Sequence, residues 1–354
     1  LLGELGVVSL VLDEHTAQTL AERAEIVEVI EDSTFRRLGA KPQTCSTGVT
    51  SPSARSHVSA ETVGGTAAPD RKPAESVQSP WNIELMRARF ASEDATGAGV
   101  RVALLDTGIA ADHPDIPIAG GVSFVPGVAS WIDDNGHGTH CAGIIGARNC
   151  TSGSTGVAPG CDLYAVKVLS SDGRGTLTSI LAGLLWCAEH AMQVVAISVG
   201  TPARHENERA FLVYERAVAR CAEVGAVVIA PAGNSGHTSR PWVQHPARCT
   251  DVLAVGAANR YGEPAAFSSR GPSSLPAGCD VEVLAPGVGI RSALPDRRLF
   301  NMSGTSMACS HVAGAAALVR ELRPHGTPEQ IRKSIVREFD TLRHPQPSAV
   351  RTAE

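Results

Sequence analysis

A chain of 354 residues, 43% of them hydrophobic, can bury one large core with a small satellite domain beside it. Its formal net charge of -5 offers no basic face to nucleic-acid phosphates, so no nucleic-acid partner is expected. No apolar run reaches the roughly 18 residues of a bilayer span, so no membrane role is expected either.

In chain order, the first segment begins at Leu1 with "LLGELGVVSLVLDEH", which has neither the basic start nor the small-residue cleavage site of a signal peptide and implies upstream sequence. Within residues 1–38, "GVVSLVL", "DEHTAQTLAERA" and "EIVEVIED" read as strand, helix and strand, with Asp13 as N-cap. That is half of a small α+β unit. Residues 39–80 are crowded with Ser, Thr, Gly and Pro without a period and read as a flexible linker.

From Trp81 the texture changes to the apolar runs "VRVALLD", "CDLYAVKVL", "QVVAISVG", "GAVVIAPAGN", "DVLAVGA" and "VEVLAPG", alternating with helical segments. Continuous β-branched runs of this kind predict a mainly parallel central sheet covered on both faces, an α/β three-layer fold over residues 81–354. Functional groups in such sheets gather at the carboxyl ends of the strands. Nine cysteines (45, 141, 150, 161, 187, 221, 249, 279 and 309) contain no C-x-x-C pair, which argues against a zinc ribbon or a thioredoxin-type site. Their number predicts some disulfides and an extracellular location.

Four polar clusters end or follow these runs. The strand "VRVALLD" stops at Asp106, a carboxylate that is costly at the end of a buried strand unless a partner uses it. Glycines bracket His137 in "DDNGHGTHCAG", where His140 is expected to be structural. Ser306 opens a small-residue helix in "NMSGTSMACSHVAGAAALVREL", with backbone N–H groups and the positive end of the dipole beside its oxygen. Asn234 ends "VVIAPAGNSG". Alone, each has a plainer reading: a turn aspartate, a structural or metal-bound histidine, an N-cap serine, a loop asparagine. Together they supply nucleophile, base, orienting acid and oxyanion donor, the set that acyl transfer requires.

With "DTGI" at Asp106, "GHGTHCAG" at His137, "PAGNSG" at Asn234 and "GTSMA" at Ser306 in that order, residues 81–335 resemble the catalytic domain of the subtilases. The resemblance implies a serine endopeptidase with Ser306 as nucleophile, His137 as general base, Asp106 orienting the histidine, and Asn234 in the oxyanion hole. It implies polypeptide substrates held as an extended strand between Gly173, Arg174 and Gly175 on one side and Ser198, Val199 and Gly200 on the other, with Pro231, Ala232 and Gly233 flooring the primary pocket. No cofactor is needed for the chemistry. One structural calcium is expected, with Asp115 as ligand and the loop from Asn149 around the ion. Residues 1–38 resemble the second half of a propeptide that blocks the cleft with its tail, so self-cleavage is expected in the linker, with the mature enzyme, a secreted monomer, beginning between Gly39 and Pro80. Two departures stand out. Ser310 replaces the family's usual proline, which predicts a less constrained helix start behind Ser306, and Cys141 falls one helical turn after His137.

Overall fold

The strands that the apolar runs predict assemble into one parallel sheet in a computed structural model of the chain. The structure describes residues 34–37, 80–90, 95–148, 155–200, 210–239, 241–271 and 280–343. The expected strand, helix and strand of residues 6–31 lie outside the described residues, as do linker residues 39–79 and the 149–154 loop.

In order along the chain, the described elements begin with β1 (Thr34–Arg37), α1 (Trp81–Phe90), β2 (Arg101–Asp106), β3 (Ile118–Ser123), α2 (His137–Gly146), β4 (Asp162–Lys167) and β5 (Arg174–Thr176). They continue through α3 (Leu177–Glu189), β6 (Val194–Ile197), β7 (Val199–Gly200), α4 (Ala210–Glu223), β8 (Val227–Pro231) and β9 (Val252–Ala258). The last are β10 (Val283–Pro286), β11 (Ile290–Ala293), β12 (Leu299–Met302), α5 (Thr305–Leu322) and α6 (Pro328–Arg343).

Seven strands form the central sheet in the order β10-β9-β8-β6-β2-β4-β3, every neighbouring pair parallel. Strands buried on both faces need helices on both sides, because each face is apolar. One core packs α1, α2, α5 and α6 against side chains such as Val102, Leu104 and Ile229. The other packs α3 and α4 against the alternate residues, among them Ala103, Leu105 and Val195. The period of two along a strand divides the sheet between the two cores. Three layers result, as the sequence predicts.

The helix α5 runs through the first core, buried on every side from Thr305 to Arg320. Its alanines and Gly314 make that depth possible: a Cβ on Gly314 would come 2.6 Å from the Val157 Cβ, well inside contact distance. A helix of larger residues would be pushed outward, and its amino end would no longer lie at the carboxyl end of the sheet.

Outside the main sheet, β1 pairs antiparallel with β5 on one side and β7 on the other, forming a three-stranded sheet. The hairpin of β11 and β12 carries the chain into α5.

Candidate active site

Asp106 is the last residue of β2 and is fully buried. Its carboxylate has two uses: Oδ1 accepts the Thr107 amide at 2.6 Å, and both oxygens lie 2.8 Å from Nδ1 of His137. The cost of a buried carboxylate is thereby offset by a hydrogen-bonded partner, as the sequence requires. Burial alone would lower the His137 pKa, but the neighbouring Asp106 charge and hydrogen bond outweigh it and raise the pKa above the ordinary imidazole value.

His137 opens α2, and the turn before it is fixed by a residue that the sequence reading passed over. Asp133 is buried and accepts five hydrogen bonds: at Oδ1 from the Thr107 hydroxyl and the amides of Asn135 and Gly136, at Oδ2 from the Thr139 amide and hydroxyl. An acid just ahead of a helix, positioned to take orphan amides, is the signal that could have identified it. Gly136 enters the helix at φ 101°, a conformation glycine adopts without strain. Gly138 packs so closely on Gly108 that a side chain there would strike the Gly108 carbonyl. The Thr107 hydroxyl that donates to Asp133 also accepts the Gly138 amide at 3.0 Å, so strand end and helix start are tied directly together.

Lys167, at the end of neighbouring β4, is also fully buried. Its ammonium donates to the Thr107 carbonyl at 2.6 Å and to Asp134 at 2.7 Å. Nothing in "LYAVKVL" singles out this lysine apart from a charge at the end of an apolar strand. Cys141 lies below His137, Sγ 4.0 Å from Nδ1. Asp106, His137 and Cys141 are the one set of three metal-ligating groups among the described residues with ligand atoms within 4.8 Å of one another. The 2.8 Å separation of His137 Nδ1 from both Asp106 oxygens is a hydrogen-bond distance, with no room for a cation between them.

Ser306 is the second residue of α5, where the first amides of a helix have no intrahelical acceptor. Its hydroxyl donates to the Ser198 carbonyl at 3.3 Å. Ser198 lies between β6 and β7, and its amide bonds the Leu105 carbonyl at the end of β2, so the Ser306 hydroxyl reaches the strand that carries Asp106 through one residue. His137 Nε2 is buried and makes no hydrogen bond to the protein. Asn234 is fixed by the residue next to Ser306. Its Oδ1 accepts both the amide and the hydroxyl of Thr305, each at 3.0 Å. Because an amide N–H can only donate, the side-chain oxygen must face Thr305, and Nδ2 is the end left free.

The other predicted residues fall at these same strand ends. Gly173 turns the chain at φ 75° into β5, which holds Arg174 and Gly175, while Val199 and Gly200 form β7. The β1 strand lies between them. Pro231 ends β8, Ala232 continues toward β9 with its amide on the Val255 carbonyl, and Gly233, at φ 108°, leads into Asn234. Asp115 is buried away from this cluster, its carbonyl accepting the Arg148 amide at 2.8 Å. His140 is structural as expected: Nε2 faces the carbonyls of Ile290 and Phe300, and burial lowers its pKa to about 4.

Two expectations fare differently. Ser310, in place of the proline, turns its hydroxyl back to the Ser306 carbonyl at 2.9 Å, a contact with the turn behind the serine that a proline ring cannot make. Cysteines 141, 161, 187, 221, 249 and 309 are all buried thiols that form no disulfide, so six of the nine contribute nothing to a disulfide framework. Cys45, Cys150 and Cys279 lie outside the described residues.

Residues 97–350 match the subtilase family. Subtilisin BL of Lederbergia lenta is 45% identical over 257 residues, which cover 72% of this chain and 89% of the relative. A thermostable alkaline protease of Halalkalibacterium halodurans is 43% identical over 257 residues, 72% of this chain and 66% of the relative. The crystal structure of a cold adapted subtilisin-like serine proteinase superposes with a TM-score of 0.62 at 30% identity, covering 72% of this chain and 89% of the other. Fold, strand-end chemistry and relatives agree, and the chain belongs to the subtilase family of serine endopeptidases.

Proposed function

We propose that Ser306, His137 and Asp106 carry the peptidase chemistry. The Ser306 hydroxyl turns from Ser198 to His137, whose free Nε2 takes its proton as the oxygen attacks the scissile carbonyl. Asp106 holds the Nδ1–H tautomer and stabilises the imidazolium. His137 then gives the proton to the leaving amine, and water hydrolyses the acyl-enzyme by the same route. The oxyanion forms against two donors, Asn234 Nδ2 and the Ser306 amide at the start of α5.

The single observation that carries this reading is the orientation of Asn234. A loop asparagine with no catalytic task has no need for an oxygen fixed by two donors and an N–H₂ end left free beside the serine. A fluorophosphonate probe tests it: label is expected on Ser306 and is expected to vanish in Ser306→Ala. Label on another residue, or none, overturns the assignment.

The substrate is an extended polypeptide that pairs with β5 and β7. Support comes from β1, which already occupies that space as a strand with partners on both sides. Gly173, Arg174, Gly175, Ser198, Val199 and Gly200 would supply main-chain pairing, and Pro231, Ala232 and Gly233 the floor of the pocket beside Asn234. On this reading residues 1–38 are the propeptide segment and β1 is its tail. The enzyme works as a secreted monomer. No helix among the described residues is long and apolar enough to cross a membrane.

Asp115 is the one residue of the expected calcium set that can be weighed. It is buried, with its backbone bound to Arg148 beside the 149–154 loop, but a hard cation of this kind takes six to eight oxygens and Asp115 supplies only part of them. Calcium has a structural part at most in this proposal, and no catalytic step passes through it.

A further inference from the structure

The register of β1 shows which side chains the groove presents to a strand that fills it. Phe35 lies opposite Gly175 and Arg37 opposite Val199, while Arg36 lies between Arg174 on one flank and Gly200 on the other. Residues directly opposite on a ladder belong to one face of the sheet. The places of Phe35 and Arg37 therefore share the face of Val199, which is fully buried, and of Gly175, where a Cβ would come 2.3 Å from the Val168 carbonyl. The place of Arg36 belongs to the opposite face, with Arg174, whose side chain is 57% exposed. Gly200 puts no side chain there, so of the two flanks only Arg174 brings a charge. The next ladder place after Arg37 is opposite Ser198, whose carbonyl accepts the Ser306 hydroxyl at 3.3 Å. A substrate seated in this register has its attacked carbonyl at the place opposite Ser198, and the residue beside Arg174 is then the third on the acyl side of the bond.

We infer that Arg174 selects an acidic side chain at this third residue, so that the preferred substrates of this chain are polypeptides with Asp or Glu there. The inference rests on the reading of the substrate as a strand between β5 and β7, and adds a side-chain choice to its main-chain pairing. A carboxylate opposite Arg174 gains a cross-strand ion pair, whereas Arg or Lys in the same place meets a like charge. The guanidinium is only loosely committed elsewhere: its ion pair with Asp172 is 3.6 Å long, between two side chains that are each more than half exposed. Asp172 is in turn engaged by the turn before β5, accepting the Ser170 hydroxyl at 2.6 Å and the Arg174 amide at 3.2 Å. The segment that occupies the groove carries Arg36 at this place, so an acidic peptide holds an advantage over it. The contact is remote from the reacting carbonyl and is the same in the bound substrate and in the transition state, so it lowers KM and leaves kcat unchanged. Because the pair is exposed to water, its effect on kcat/KM is about two- to five-fold and is weakened by salt.

The test is a quenched-fluorescence peptide that is neutral apart from one variable residue, with Glu, Gln or Arg moved through each place on the acyl side of the bond. The bond cut is read by mass spectrometry, and active enzyme is counted by fluorophosphonate label on Ser306. At the third residue alone, Glu is expected to exceed Gln by about two- to five-fold in kcat/KM through KM, with Arg below Gln. The Glu preference should shrink toward none in ~1 M salt, where the screening length falls to about 3 Å. It should vanish in Arg174→Gln and turn into a preference for Arg in Arg174→Glu. Both variants change an exposed side chain, and each is compared with itself across the three peptides, so a general loss of activity does not obscure the result. Glu no better than Gln at the third residue, an equal gain at every place, or a Glu preference that persists in both variants overturns the role of Arg174 and leaves the strand reading in place. Ser306 labelled while none of the extended peptides is cut overturns the strand reading itself.

Discussion

The two halves of the proposed active site are built differently. On the acid and base side nearly every polar group is engaged: Asp133 takes five hydrogen bonds, Asp106 takes the Thr107 amide and the His137 Nδ1–H shared between its two oxygens, and Lys167 is tied to the Thr107 carbonyl. On the nucleophile side the key groups remain available. The Ser306 hydroxyl makes one long contact, and Asn234 is fixed only at its oxygen. A base must be held in one tautomer and one orientation before substrate arrives. Oxyanion donors are useful only if nothing satisfies them until charge develops. Mutations on the first side should therefore disturb both stability and rate, and those on the second mostly the rate.

The sharpest attempt to break that contrast is Asp106→Asn. The loss in kcat should be about 10⁴-fold, the scale known for this change in a Ser-His-Asp triad. The pH profile gives a second readout. His137 must be unprotonated to act, and its pKa is raised, so wild-type activity should appear only as pH rises through that elevated value. Removing the Asp106 charge leaves burial, which lowers the pKa, so the acidic limb should move to lower pH. An unmoved limb would mean that Asp106 does not set the titration.

Next in size is Asn234→Ala, expected to lower kcat by about 10² to 10³ with KM little changed, a magnitude carried over from the equivalent subtilisin change. Here the comparison becomes quantitative, because stability should fall by no more than the roughly 1–3 kcal/mol of leaving the buried Thr305 amide and hydroxyl without their acceptor. A variant destabilised as much as it is slowed would show that Asn234 is a structural tie between its loop and Thr305.

Lys167→Met is smaller and should show in both measurements. It leaves the buried Thr107 carbonyl without its donor, which costs roughly 1–3 kcal/mol of stability. Asp134 is about half exposed, so its own loss is absorbed by water. Because Thr107 adjoins Asp106 and bonds to Asp133, kcat should fall several-fold while KM holds. Full activity at reduced stability would make Lys167 purely a core residue.

How much of this was legible in the sequence depended on what each element displays. Six sheet strands announce themselves as apolar runs because both of their faces are buried. The seventh, β3, does not: "IAGGVS" is partly exposed, contains two glycines and draws its regularity from β4 alone. The β11–β12 hairpin is equally silent, since it borrows its place from the chain entering α5. Asp106, His137, Asn234 and Ser306 could be read because each interrupts an apolar or glycine-rich stretch with a group whose burial demands a use. Thr107, Thr305 and Lys167 could not, because their importance lies in partners 26 to 71 residues away that only the fold brings near; Asp133 was passed over although four of its five bonds are to residues within six positions. Six of the nine cysteines form no disulfide for a related reason: cysteine is also a small apolar side chain, and these six are buried that way.

Ser310→Ala is the smallest expected effect and bears on the one place where the two halves overlap. The Ser310 hydroxyl reinforces the Ser306 carbonyl, a polar tie on the side of the site that otherwise has few. The Ser306 carbonyl already lies within α5 and has an ordinary helical acceptor role, so loss of the second donor should change stability by no more than about 1 kcal/mol. If the tie poises the nucleophile, the fraction of acyl-enzyme captured by an added amine rather than by water should change in Ser310→Ala. The same fraction should change in Ser310→Pro, which removes both the hydroxyl and the amide. An unchanged fraction in both variants would put the poise of Ser306 in the Thr305–Asn234 contact alone, and the nucleophile half would then be as sparsely held as its hydrogen bonds suggest.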